Sequence, residues 1–269
     1  MITIYSWFGY NIPIKERYRL IKQAGFDGVM IWWNGDFDKI DFCSQPEDAH
    51  NTGLFVENMH TPYDGNTNLW LDNLEGEEIE KRLVDCIEDC STYQIPTMVV
   101  HPTSGNPPPV NEIALNRFKR IVEKAEQKGI NIAMENIKLI DYLKYVLDNI
   151  HSNRLGFCYD SGHHNCKTPK CDILTEYSSR LMALHLHDNI GYVVGEKSED
   201  QHRLPFDGNI DWARTMKIIA NSGYAGANAL EVLNLGYEHL ADKPEEFLNI
   251  AYERAKRLEE LKKEWEAAR

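Results

Sequence analysis

The sequence predicts an α/β chain folded as a single (β/α)8 barrel, and three observations predict it. Short apolar, β-rich runs alternate with amphipathic helical runs along the chain, these runs make eight β-then-α units, and polar residues capable of chemistry stand at the ends of many strands. An open, doubly wound sheet, the competing α/β architecture, would gather its ligand site at one switch point instead. The 269 residues suit one barrel of this kind.

The elements follow in order from hydrophobic period and punctuation. Residues 2–7 read as a strand; 14–24 carry helical periodicity and stop at Gly25. Strands are predicted at 28–33, 55–60, 97–101, 131–136, 155–160, 181–188 and 227–232. Between them helices are predicted at 42–51, about 77–93, 111–128, 140–150, near 173–180 and at 210–222. Residues 1–269 are expected to make one domain, with 243–269 a C-terminal helix packed outside the barrel or extending from it. The Glu, Lys and Arg residues of that helix are paired at helical spacing, as on a solvated face.

Composition narrows the partners. The 29 basic and 42 acidic residues leave a net charge of −13, which disfavours a polyanionic partner, so nucleic acid is not expected. No apolar run approaches the ~20 residues of a membrane span, and the first residues lack a basic flank and an apolar signal core; no membrane role and a cytoplasmic location are expected. The six cysteines form no C-x-x-C pair and read as reduced thiols.

The register of the strands points to a site. In a barrel alternate residues face inward and functional groups collect at strand C-termini. The expected inward sets are Val56, Asn58 and His60; Thr97, Val99 and His101; Asn131, Ala133 and Glu135; Gly156, Cys158 and Asp160; Ala183, His185 and His187; and Ala227, Ala229 and Glu231. Met182, Leu184 and Leu186 are expected on the other face of their strand. Each inward set ends in His, Asp or Glu, and His163, Asp200 and His202 follow close behind two of these strands. Imidazoles with carboxylates suit Zn2+, Mn2+ or Fe2+, and the lack of thiolates argues against a purely structural site. A catalytic metal site is therefore predicted. Trp33, with Trp7 and Trp32, is a candidate apolar wall beside a substrate, and Arg203 a candidate contact for a phosphate or carboxylate.

The series His60-Thr-Pro-Tyr63, His101-Pro102, Met134-Glu135-Asn136, Asp160-Ser-Gly-His163, His185-Leu-His-Asp188, Asp200-Gln-His202 with Gly208-Asn-Ile210, and Leu230-Glu231 resembles the xylose isomerase-like TIM barrel superfamily over essentially the whole chain. That superfamily includes sugar and sugar-phosphate isomerases and epimerases, inositol-catabolism enzymes and the endonuclease IV group. The resemblance implies two centres. An epimerase-like one binds a single Mn2+, Zn2+, Co2+ or Mg2+ through residues matching Glu135, Asp160, His185 and Glu231, with His60, His101 and His163 near the substrate and His187 either supporting the ligands from behind or on the substrate. An endonuclease IV-like one holds up to three Zn2+, adding matches to His60, His101, His163, Asp200 and His202.

The loops favour the sugar branch. A nuclease must hold and penetrate an anionic duplex with basic and aromatic loops, whereas residues 34–39 and 64–68 are acidic or neutral. The pair HLHDN and DQHRLPFDGNIDW also looks like the isomerase/epimerase branch, although Phe206-Asp207 replaces its commoner Gly-Glu. The resemblance thus implies an isomerase or epimerase acting on a small sugar, sugar phosphate or inositol-derived ketone. Glu135 and Glu231 would exchange the proton next to the carbonyl, through a metal-stabilised ene-diolate. A zinc phosphodiesterase and a non-catalytic sugar- or metal-binding barrel are the alternatives. A homo-oligomer is among the expectations, since dimers and tetramers occur in the superfamily.

Overall fold

A computed structural model describes residues 1–34, 42–192 and 200–267. Eight strands make one parallel sheet: β1 (Ile2–Tyr5), β2 (Gly28–Trp32), β3 (Phe55–His60), β4 (Thr97–Val100), β5 (Asn131–Glu135), β6 (Leu155–Asp160), β7 (Leu181–His185) and β8 (Asn228–Leu230). From β1 to β7 each strand pairs with the next, and β1 also pairs with β8. The ring closes just beyond β7, where the Leu186 amide donates to Ala229 O at 2.8 Å and the Glu231 amide donates to Leu186 O at 3.1 Å. The fold is the predicted (β/α)8 barrel.

The described helices are α1 (Ile14–Ala24), α2 (Gln45–Asn51), α3 (Leu74–Thr92), α4 (Glu112–Lys128), α5 (Ile140–Asn149), α6 (Ser161–Lys167), α7 (Ile173–Tyr177), α8 (Trp212–Ser222) and α9 (Pro244–Ala267). Side-chain caps set the starts of α3, α4 and α8: Asn73 accepts from the Gly76 amide, Asn111 from those of Ile113 and Ala114, and Asp211 from that of Arg214. Helix α6 lies outside the sequence prediction. Its seven residues carry no apolar period, and Asp160 starts it by accepting from the His163 amide at 2.6 Å. Helix α9 packs against α1 and α8 and buries Phe247, Leu248, Ala251, Ala255 and Leu258, so it covers the outside of the barrel beside β8. Among the described residues no helix is long and apolar enough to cross a membrane.

Alternation sorts the strand residues as expected over most of the ring. Ile132, Met134, Phe157, Tyr159, Leu184 and Leu186 pack outward against the helices, while Val99, Ala133, Cys158 and Ala183 form a small separate cluster inside. These modest inward side chains keep the interior open beneath the strand ends.

Two bulges correct the predicted register. In β3 the pairing with β2 steps from Val56 to Asn58, so Glu57 is the extra residue; Val56 joins the outer core and the Glu57 carboxyl is buried. In β7 the pairing with β6 steps from Leu181 to Ala183, and Met182 packs against the inner cluster rather than outward. Gly156 makes that possible, because a Cβ there would lie 2.6 Å from Met182 Cγ.

Burial raises the Glu57 carboxyl to about 7, against the hydrogen bond donated by Asn58 Nδ2 and the charge of His185. The folded-state value lies above the unfolded 4.5, so the fold favours the neutral acid; this contribution is fully present below about pH 4.5 and is lost as pH rises through about 7. Glu57→Gln is expected to gain on the wild type across that window, by on the order of 3 kcal/mol in unfolding free energy. Denaturant unfolding of both proteins at a series of pH values checks this, and parallel profiles would contradict it.

Candidate metal centre

The strand ends deliver the predicted residues to one cavity of about 240 Å³ at the C-terminal mouth of the barrel. His60, His101, Glu135, His163, His185, Asp200, His202 and Glu231 line it, and Asp160 lies buried behind them. Tyr5, Trp7, Trp32, Tyr63 and Leu233 complete its apolar wall.

Glu135 is the hub. Its Oε2 lies 3.1 Å from His60 Nε2 and 3.3 Å from His185 Nδ1; its Oε1 lies 3.3 Å from His101 Nε2 and 3.1 Å from His163 Nδ1. Glu231 Oε2 approaches the same His185 Nδ1, at 3.1 Å. On the far side His163 Nε2 lies 2.8 Å from Asp200 Oδ2, which is 3.6 Å from His202 Nε2.

Backbone carbonyls fix how several rings point. His60 Nδ1 faces Thr61 O at 2.9 Å, His163 Nδ1 faces Asn136 O at 3.1 Å, and His202 Nδ1 faces Glu231 O at 2.8 Å. A carbonyl oxygen only accepts, so each Nδ1 carries the hydrogen and donates it; in the neutral ring the Nε2 lone pair is left facing the cavity. This is how metal-ligating histidines are usually oriented.

A divalent cation fits these residues. Both His185 nitrogens and Asp200 Oδ1 are buried without a hydrogen-bond partner, although His185 Nδ1 is within 3.3 Å of two carboxylates. Atoms so close yet misaligned for hydrogen bonding converge on a common point rather than on each other. Candidate ligand groups overlap at Glu135: His60 and His101 with it, Asp160 and His163 with it, and Asp160 with His185 and Glu231 alongside. Without an ion, protons balance the charge. Burial opposes ionisation of Glu135, yet His101 and His185 hold it well below the usual carboxylate range; burial also opposes charging of His163, yet Asp160, Asp200 and Glu135 raise it well above the usual imidazole value. A bound cation would take the place of those protons.

Two nearby groups stand apart from the expected ligands. Cys158 is buried beside His185 and Glu135, and in the absence of an ion burial pushes its thiol up to about 12. His187 lies near His202 and Glu231, but its ring stacks on that of His202, 11° from parallel with centroids 4.1 Å apart. Parallel rings so placed cannot both aim in-plane lone pairs at one ion roughly 2.0–2.1 Å away. His187 instead sets its Nε2 3.1 Å from Asp160 Oδ1, and although burial opposes its charge, Asp160 and Asp200 raise it to about 9. It therefore supports Asp160 from behind and does not line the cavity, which is the supporting one of the two positions expected for it.

Gly162 admits the His187 ring: a Cβ there would lie 1.9 Å from His187 Cε1. Gly162→Ala is expected to cost about 1–3 kcal/mol of stability by overpacking. Urea unfolding checks this, and an unchanged midpoint and slope would contradict it.

The remaining predicted contacts separate. Trp33 faces the core, donating Nε1 to Asp89 Oδ2 at 2.8 Å and packing on Phe42 and Tyr93, because strand alternation turns Trp32 inward and Trp33 outward. Arg203 donates to Asp207 O at 3.3 Å and does not line the cavity. Sequence reasoning missed Tyr5, Tyr63 and Leu233, whose signal was their position at or just beyond the ends of β1, β3 and β8. Of the loop at 34–39, residues 35–39 lie outside the described residues; residues 64–68 include a 3-10 turn, Asn66–Trp70, and Arg82 donates to Asp64 O at 2.9 Å.

Comparison with known proteins places the fold and the family. An uncharacterized protein of Methanocaldococcus jannaschii is 29% identical over 182 residues, covering 59% of each chain. A probable endonuclease 4 of Mycoplasma capricolum is 26% identical over 168 residues, covering 54% of this chain and 56% of its own. The matches span between about a third and two-thirds of the length of these and other curated relatives. Among solved structures, a D-tagatose 3-epimerase-like protein superposes with a TM-score of 0.72 at 19% identity, covering 100% of this chain and 99% of its own. A D-allulose 3-epimerase from Methylomonas sp., solved with D-allulose, gives 0.74 at 14% identity and 96% coverage of both. Residues 18–268 match the family described as xylose isomerase-like TIM barrel, and the chain belongs to that family.

Proposed function

We propose that the protein is a divalent-metal-dependent isomerase or epimerase of a small sugar or related polyol ketone. The observation that carries this reading is the convergence of two carboxylates, Glu135 and Glu231, on His185 Nδ1 at 3.3 and 3.1 Å, in a compact cavity walled by Trp7, Trp32 and Tyr63. The cavity is smaller than the roughly 300–1,000 Å³ clefts that hold drug-sized ligands, which suits a compact molecule. Among the described residues no lysine or arginine lines it, so a substrate held mainly by its phosphate is disfavoured.

Glu135, Asp160, His185 and Glu231 would hold the ion, which would supply polarisation of the substrate carbonyl. The residues' own work is proton transfer. Glu231, more open to the cavity than Glu135, takes the proton from the carbon next to the carbonyl, and the C–H electron pair moves into the C=C bond of the ene-diol. Re-protonation on the opposite face through Glu135, which takes that proton from solvent while Glu231 releases its own, returns the epimer; return of the Glu231 proton to the neighbouring carbon, with the hydroxyl proton passing to the former carbonyl oxygen, returns the isomer. Oxygen, carbon and hydrogen counts are unchanged, and the aromatic wall limits water at the reacting carbon.

A second reading rests on the inward-facing Nε2 atoms of His60, His163 and His202. With Asp200 they extend the ligands beyond one ion, as a three-zinc phosphodiesterase requires, and a probable endonuclease 4 is among the relatives the chain matches. Metal analysis of the reconstituted protein separates the readings. About one tightly bound ion per chain is expected; three zinc ions favour the phosphodiesterase, and none overturns both.

A further inference from the structure

The segment that brings Asp200 and His202 to the cavity is wrapped around a buried carboxylate with no place in the chemistry above. Asp188 is fully buried three residues beyond His185. Its Oδ1 accepts from the amides of Asn189 at 2.9 Å and Ile210 at 3.2 Å; its Oδ2 accepts from the amide of Phe206 at 3.0 Å and from Trp212 Nε1 at 2.8 Å. Its backbone exchanges two hydrogen bonds with Arg203, each 2.9 Å. Gly208 passes so close that a Cβ there would lie 2.1 Å from Asp188 Oδ1.

The same segment holds two non-glycine residues in the left-handed region, His202 at φ 45° and Phe206 at φ 74°. Such backbone is strained for a residue with a side chain and persists only where the surroundings over-determine it. Asp188 supplies that determination between them. The Phe206 ring is also covered by Arg257, whose guanidinium lies 4.0 Å from its centroid, and Asp207 is held by Arg254 at 2.9 Å, which ties the far end of the segment to α9.

We propose that Asp188 is a positioning residue of the metal centre: its four accepted hydrogen bonds hold residues 202–212 in the conformation that sets Asp200 against His163 and turns His202 into the cavity. The proposal rests on the reading above only in taking the centre to bind metal. An Asn at 188 has nearly the same shape but replaces one acceptor oxygen with an amide NH2 donor, which would face amide or indole donors.

The test compares Asp188→Asn, Asp200→Ala and the double variant by imidazole 15N NMR of the metal-free protein and by Mn2+ titration. The expected result is that Asp188→Asn moves the His163 nitrogens in the direction seen for Asp200→Ala, weakens Mn2+ binding about 10–100-fold, and adds little in the double variant. A general loss of structure would instead add in full to the effect of Asp200→Ala. If His163 moves in both single variants while Mn2+ affinity does not, the positioning role stands and the reading of Asp200 as a ligand fails. If Asp188→Asn leaves His163 at its wild-type position, or its effect adds in full, the proposal is overturned. Should Asp188→Asn not fold, Trp212→Phe removes a single donor and is expected to move His163 the same way by less; no movement there overturns the proposal equally.

Discussion

Glu135→Gln is expected to leave a folded barrel that no longer retains a divalent ion and turns over at background rate. The side chain faces four imidazoles at 3.1 to 3.3 Å and is shared by every candidate group on the His60 and His163 sides of the cavity, so its loss reaches the whole centre at once. The amide keeps the shape but loses the charge and one acceptor. Loss of the proton-transfer group alone amounts to roughly 10²–10⁴-fold in rate, and loss of the ion adds to it. Metal content after dialysis, with circular dichroism for the fold, checks this; a variant that keeps wild-type metal content would contradict the central place given to Glu135.

Glu231→Gln is expected to separate chemistry from binding. The Glu231 carboxylate is ion-paired with His185, and its backbone carbonyl, which orients His202, is untouched by the substitution. Burial opposes its ionisation, but His185 and then His202 bring its carboxyl down to about 2, so it is an ionised base at neutral pH. The variant should bind the ion more weakly while turnover falls about 10²–10⁴-fold. An active Glu231→Gln protein would end the assignment of Glu231 as the proton acceptor.

Much of the centre was legible because strand alternation is a rigid constraint: once eight strands are recognised, the residues at their inward ends must meet. That reasoning located His60, His101, Glu135, Asp160, His185 and Glu231, and the same rule applied to β2 would have chosen Trp32 over Trp33. It failed at Glu57 and Met182, where one extra residue in a strand turns a side chain to the other face; a bulge is set by pairing with the neighbouring strand, which no local pattern records. It also missed α6, which is nucleated by the Asp160 cap rather than by an apolar stripe. The work of Asp188 was hidden for a related reason, since three of its four donors lie 18 to 24 residues away and two of those are backbone amides.

The order of events on the polar side is also clearer in the fold than in the chain. His187, one strand period beyond His185, orients Asp160 from behind, and Asp188 next to it orients the returning segment. One short stretch thus supplies a ligand candidate, its neighbour's support and an anchor, which explains why histidines so similar in sequence take different positions.

The most direct test is solvent deuterium incorporation, followed by proton NMR, when the Mn2+-reconstituted protein is incubated in D2O with a panel of ketoses and inositol-derived ketones, beside an abasic-site DNA duplex. Proton abstraction next to a carbonyl predicts enzyme-dependent exchange of one carbon-bound hydrogen in at least one ketone, absent with Glu231→Gln, and an intact duplex. Cleavage of the duplex with no exchange into any ketone would contradict the account.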